Sequence, residues 1–199
     1  EITFESLREE YSAVFTAIGA HTGGSLGCPR EEGRSVYTGT DFLRAANTGR
    51  KVDVGEHVVV IGGGDTAIDA ARVSLRYTRD VAQVAKRQDA EVTILYRRTR
   101  NEMPAIEREI EEAIEEDIKI EFLAAPAEIL RDDDGAVGGM KVQRMELGEP
   151  DDSGRRRPMV VPDSEFQIEV DTAIVAIGND SNPLIKQTTP EIDTNKWGN

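Results

Sequence analysis

The run His57-Val58-Val59-Val60-Ile61, followed at once by Gly62-Gly63-Gly64-Asp65-Thr66-Ala67, constrains this chain more than any other feature. A strand turns successive side chains to opposite faces. An unbroken β-branched run therefore predicts a strand buried on both faces, as in a parallel sheet. The segment Gly62-x-Gly64-x-x-Ala67 fits G-x-G-x-x-G/A, and the helical sequence that follows gives it the strand–turn–helix context the pattern needs. Gly62 permits the tight turn, Gly64 lets the backbone approach a pyrophosphate with no Cβ in the way, and Ala67 packs the helix on the sheet. Free N–H groups near Asp65 and Thr66 add the positive end of the helix dipole. The alternative is a purely structural glycine turn.

The residues after the second strand, Glu91 to Tyr96, discriminate between dinucleotides. An NAD site usually carries Asp or Glu there, to accept from the ribose 2′-hydroxyl. Here the sequence is Arg97-Arg98-Thr99-Arg100. Guanidinium groups bind a 2′-phosphate through charge-assisted, often bidentate hydrogen bonds. Arg97 and Arg98 therefore favour NADPH over NADH, the alternative being a solvated strand end that happens to be basic.

The remaining pattern sets the fold class. Residues 105–117 read as an amphipathic helix with Ile106, Ile110, Ala113 and Ile114 on one face, its seven acidic residues forming the wet side. A third strand spans Ile118 to Leu123. The expected fold is α/β, a Rossmann-like βαβαβ parallel sheet. An added antiparallel β-meander follows, with strands at Ala127–Leu130, Val137–Leu147 and Glu165–Val170. Arg155-Arg156-Arg157 falls in a turn-rich loop and reads as solvated. A last strand, Thr172–Ile177, ends at Gly178. Ahead of the glycine turn the sequence predicts a helix over 3–10 capped by Thr3, a strand Tyr11–Ile18, and a loop over 20–39. A helix Asp41–Asn47 follows, capped by Thr40 or Asp41. Ala17-Ile18-Gly19 and Ala176-Ile177-Gly178 echo each other as apolar strand ends.

Charge and cysteine content limit the chemistry. A net charge of −14 argues against nucleic acid or an anionic membrane as partner. The single cysteine, Cys28, supplies neither an internal disulfide nor a cysteine metal cluster, and fits a reducing compartment. With no basic, apolar start and no bilayer-length apolar stretch, a cytoplasmic location is expected. His21 and His57 have no Ser, Cys or Asp partner in a recognisable motif. No catalytic residue and no metal ligand is expected.

VVVIGGGDTAIDAARVSLR followed by VTILYRRTRNEMPA resembles the pyridine-nucleotide domain of the glutamate synthase small subunit and related flavoprotein reductases, including the NADPH-accepting half of dihydropyrimidine dehydrogenase. YSAVFTAIGA and DTAIVAIGNDSNP extend the resemblance over most of the chain. It implies the NAD(P)-binding domain of a two-dinucleotide-domain flavoprotein, inserted into an FAD domain through two crossing strands. Gly62, Gly63, Gly64, Asp65 and Thr66 then match the pyrophosphate turn, with Ala67 behind it. Arg97 and Arg98 match the 2′-phosphate pair, and Gly178 the strand end near the nicotinamide. The expected organisation is a flavin-domain segment and crossing over 1–50, the NADPH domain over 51–178, and a return segment over 179–199. The expected reaction is hydride delivery from NADPH to FAD. The onward route is through iron–sulfur clusters or a large, electron-accepting subunit, and FAD is bound mainly outside this stretch, so the stretch alone should not turn over. An exposed Tyr11–Ile18 strand would pack on the domain or pair two copies into a homodimer. The rival readings are an NADH-using relative, a non-catalytic Rossmann nucleotide sensor, and an interaction module.

Overall fold

The computed structural model describes residues 3–20, 22–50, 52–85, 91–151 and 154–195. They fall into two compact units, Gly23–Gly178 and a smaller one made of Glu1–Thr22 with Asn179–Asn199.

In the larger unit, β1 (Val36–Thr38) leads through α1 (Gly39–Asn47) to β2 (His57–Ile61), α2 (Asp65–Ala85) and β3 (Glu91–Tyr96). α3 (Glu107–Glu115) and β4 (Lys119–Phe122) complete the first winding. The antiparallel strands β5 (Ala124–Arg131), β6 (Val137–Pro150), β7 (Arg156–Val160) and β8 (Phe166–Ile168) follow, and β9 (Thr172–Val175) returns to the parallel sheet. That sheet has the order β1-β9-β2-β3-β4, every pair parallel. β5, β6 and β7 form an antiparallel sheet in which β8 pairs with β6.

The alternation along β2 explains why every residue after His57 is apolar. Val58 and Val60 join Ile68, Ala71 and Ile94 in a core beneath the helices. Val59 and Ile61 join Leu95, Ile129, Met140 and Val142 in a second core. The second face of the parallel sheet is thus closed by the meander. Along α2, Ala67, Ile68, Ala70, Ala71 and Leu75 are buried, the small residues letting the helix lie close to the strands. Its two buried hydroxyls, Ser74 and Thr78, donate to the helix's own carbonyls at Ala70 (2.7 Å) and Leu75 (3.0 Å), which satisfies them without a partner from the core.

Several sequence expectations change. β1 lies inside the stretch read as loop, and α1 starts earlier than expected, at Gly39 with Thr38 as its cap. β7 lies where the arginine-rich loop was expected. On α3 only Ile110 and Ala113 are buried. Ile106 precedes the helix as its N-cap and Ile114 sits at the margin of the stripe, so both are exposed. The acidic face of α3 is not simply hydrated, because Arg72 of α2 reaches Glu109 (3.5 Å), Glu112 (3.3 Å) and Glu116 (2.5 Å).

In the smaller unit, a helix Phe4–Glu10 is capped by Thr3, which forms a reciprocal box with Ser6. The expected strand Tyr11–Ile18 is irregular chain, with Tyr11 and Phe15 exposed. An extended segment without a neighbour has nowhere to place its ladder hydrogen bonds. Within this single chain no strand forms over residues 11–18. Both echoed glycines have positive φ, Gly19 at 73° and Gly178 at 118°. His21 lies outside the described residues. No helix among those described is long and apolar enough to cross a membrane.

Candidate functional site

β2 is followed through helices by β3 and β4 on one side, while β9 returns on its other side. The carboxyl ends of β2 and β9 therefore mark the point where the winding direction reverses, which is where open α/β sheets bind ligands. A cleft of ≈ 510 Å³ opens there.

The three glycines of its floor answer to different constraints. Gly62 has φ 148°, and a Cβ on it would stand 2.2 Å from the Ala176 carbonyl oxygen. A Cβ on Gly63 would stand 2.5 Å from the Tyr96 ring. Both are required by the packing of the protein itself. Gly64 is not, since the nearest atom to its Cβ position is Pro104 Cγ at 4.0 Å. The space above Gly64 belongs to the cleft. Behind the turn Gly64 O accepts from Ala67 N (2.9 Å) and Ile68 N (3.2 Å). The N–H groups ahead of Ala67 have no partner inside the helix, as at any helix start.

The segment Glu102-Met103-Pro104-Ala105 is bolted to this turn. The Tyr96 hydroxyl donates to Glu102 O (2.6 Å), Ala105 N to Gly63 O (3.1 Å), and Ile106 N to Asp65 Oδ1 (3.0 Å). Met103 and Ala105 are buried, and Pro104 lines the cleft. The Glu102 carboxylate accepts from the Thr99 hydroxyl (2.5 Å) and Thr99 N (3.2 Å). The Thr99 hydroxyl bond is the main cause holding its pKa below the ordinary value of 4.5. A lowered folded pKa means that this contribution is present above 4.5 and fades as pH falls through the folded value. Thermal unfolding should show that Glu102→Gln destabilises by less than about 1 kcal/mol near neutrality. The variant should also lose less stability than the parent on acidification below the glutamate range. An unchanged acid profile would contradict this assignment.

Seven of the residues expected at the site line the cleft or lie at its floor: Gly62, Gly63, Gly64, Thr66, Arg97, Arg98 and Gly178. Ala67 is fully buried beneath the turn, and the Asp65 carboxylate faces Ile106 N, so these two shape the site from behind. The arginines differ from each other. Arg97 is exposed and makes no hydrogen bond or ion pair among the described residues. Arg98 is 6% exposed; its Nε donates to Arg156 O (2.7 Å) and its Nη2 pairs with Asp151 Oδ2 (3.0 Å). Sequence reasoning missed Leu26, Pro104 and Arg155 as lining residues. Leu26 is placed by the Glu31 carboxylate, which accepts from Leu26 N (2.6 Å), Gly27 N (2.9 Å) and the Ser25 hydroxyl (2.8 Å). No local motif signals that arrangement.

Electrostatics separate this cleft from its neighbours. Among the described residues it is lined by three arginines, Arg97, Arg98 and Arg155, and by no carboxylate, on a chain of net charge −14. A cleft of ≈ 650 Å³ at the opposite end of the strands carries Asp53, Glu56, Asp132, Glu169 and Asp171, which would repel an anion. In a third, of ≈ 490 Å³, Lys119 pairs with Glu91 and Arg144 with Glu121, so its lysine and arginine are already committed to carboxylates. Among the described residues no group of three or more His, Cys, Asp or Glu is placed to hold a metal ion.

Known proteins share both sequence and fold with the chain. It is 44% identical over 200 residues to the NADPH-Fe(3+) oxidoreductase subunit beta of Geobacter sulfurreducens, covering 99% of this chain and 28% of that protein. It is 36% identical over 190 residues to the glutamate synthase [NADPH] small chain of Escherichia coli, covering 89% of this chain and 38% of that one. It thus spans well under half the length of these relatives. FprA of Mycobacterium tuberculosis, solved in complex with NADPH, superposes with a TM-score of 0.76 at 20% identity, over 98% of this chain and 55% of that one. A thioredoxin reductase of Lactococcus lactis does so at 0.61, also at 20% identity, over 90% and 48%. Both show the fold. Residues 5–199 match the family of pyridine nucleotide-disulphide oxidoreductases, and the chain belongs to that family.

Proposed function

We propose that the chain binds NADPH in the glycine cleft and, within a longer protein, presents it to an FAD for hydride transfer and onward electron flow. The observation that carries this reading is a cleft whose described residues supply three arginines and no carboxylate, with an exposed Arg97 at the end of β3 and an open Gly64 at the helix start. The names of the relatives support it, since both the Geobacter sulfurreducens subunit and the Escherichia coli chain are named for NADPH.

The residues present fit such a cofactor. Gly62, Gly63, Gly64 and Thr66, with the helix-start N–H groups, would hold the pyrophosphate. Arg97 would hold the 2′-phosphate. Ile177 and Gly178, which follow β9, also line the cleft, and the nicotinamide would lie beside them. When bound, the cofactor supplies a hydride, and the protein's part is to orient it and keep water out. That task needs no acid or base from this chain. In this reading Gly23–Gly178 is the NADPH domain, and Glu1–Thr22 with Asn179–Asn199 are segments of the flavin-binding part. Any iron–sulfur cluster would lie in another domain or subunit, since the chain has one cysteine.

Fluorescence titration of the protein with NADPH and NADH tests the reading. NADPH should bind more tightly, and Arg97→Ala should weaken NADPH by about 10-fold while leaving NADH nearly unchanged. Equal affinity for the two dinucleotides would exclude a 2′-phosphate site, and no binding of either would point to an interaction module.

A further inference from the structure

Arg98 is an unsuitable phosphate ligand as the structure holds it. Its side chain is 7% exposed and its charge is balanced by Asp151 at 3.0 Å, leaving little net attraction for an anion. What Arg98 does hold is the hairpin between β6 and β7. Asp151 N donates to Arg155 O (2.7 Å), and Gly154 N to Asp151 O (2.8 Å), with Gly154 at φ 79°. One carboxylate oxygen of Asp151 takes Arg98, while the other accepts from Arg155 N (3.2 Å). Arg98 Nε closes the frame on Arg156 O (2.7 Å). The backbone on both sides of the Arg155 Cα is thereby tied to the end of β3.

The three consecutive arginines of this hairpin have different fates. Arg156 turns onto the hairpin's own backbone, donating to Leu147 O (2.9 Å). Arg157 does not border the cleft, whereas Arg155 is exposed and lines it together with Arg97. Two cations thus approach the same cleft from different sheets, Arg97 from the parallel sheet and Arg155 from the meander.

We propose that Arg155 is the second cation for the 2′-phosphate, and that Arg98 is a positioning residue which, through Asp151, holds Arg155 in place. The proposal rests on the NADPH reading above and assigns specificity partly to the meander. A phosphate gripped from two independent elements is recognised by position as well as charge, since neither cation alone can follow it if it shifts.

The test is a double-mutant cycle read as dissociation constants for NADPH and NADH, by fluorescence titration of the full-length protein. Arg155→Ala should raise the NADPH constant about 10-fold and leave the NADH constant within about two-fold, with Arg155→Lys restoring part of the loss. Arg98→Met should raise the NADPH constant similarly, and adding Arg155→Ala to it should cost little more, because an unheld Arg155 no longer contributes. Asp151→Asn, which keeps the size of the side chain, should mimic Arg98→Met and serves in its place if that variant fails to fold. An unchanged NADPH:NADH ratio in Arg155→Ala, beside a collapsed ratio in Arg97→Ala, overturns this proposal and leaves the NADPH reading standing. Fully additive losses, or undiminished NADPH binding in Asp151→Asn, overturn the positioning role of Arg98. A parent protein with no preference between the dinucleotides overturns both.

Discussion

Gly62→Ala is expected to lose more than about 4 kcal/mol of stability, enough to leave a typical domain largely unfolded at ambient temperature. Two effects combine there. A φ of 148° lies where L side chains are strained, and the new Cβ would stand 2.2 Å from the Ala176 carbonyl oxygen. That carbonyl cannot readily swing aside, because Ala176 N donates to Ile61 O (2.8 Å) and the residues before it pair with β2 along the whole of β9. Relief would require parting β9 from β2 at the centre of the sheet. Gly135→Ala is the natural control. Its φ is 76°, with nothing within 4 Å of the added Cβ, so it should cost only the conformational penalty of about 1–2 kcal/mol. Thermal or denaturant unfolding of the two variants separates clash from strain. If Gly62→Ala melts like Gly135→Ala, the close approach of the turn to β9 is not what limits the fold.

The same region shows what a sequence can and cannot disclose. β2 and β3 match the expected His57–Ile61 and Glu91–Tyr96 in full, because a buried parallel strand writes itself as an unbroken apolar run. β1 has only three residues and forms because β9 offers it a parallel partner, a contact 137 residues away for Ala173 and Val36. β7 is obscured by two arginines and by Pro158, since an exposed outer strand has no apolar face to reveal. The opposite error at Tyr11–Ile18 has the same origin, since apolar content predicts a strand only where a neighbour exists. At the site, the sequence put Arg97 and Arg98 together at the end of the second strand, and both line the cleft. Yet one guanidinium is exposed while the other is buried against Asp151, 53 residues on, a pairing no local pattern discloses. Arg155 carried no signal of its own, because its place depends on that long-range ion pair.

Gly64→Ala should behave in the reverse manner to Gly62→Ala, with the fold intact and binding impaired. The backbone at Gly64 is not in the left-handed region, and only Pro104 Cγ, at 4.0 Å, approaches the added Cβ. An N-cap alanine in place of glycine costs under about 1 kcal/mol, so the melting temperature should move by only a few degrees. The methyl group would project into the cleft, above helix-start N–H groups that have no acceptor in the helix. Keeping a pyrophosphate from one such charge-assisted bond costs about 2 kcal/mol, or roughly 30-fold in affinity. The loss should be equal for NADPH and NADH, because the pyrophosphate is common to both. That equality distinguishes the glycine turn from Arg97 and Arg155, whose removal should act on NADPH alone. A Gly64→Ala protein that binds both dinucleotides as tightly as the parent would place the pyrophosphate elsewhere in the cleft. One in which NADPH alone suffers would assign Gly64 to the 2′-phosphate end.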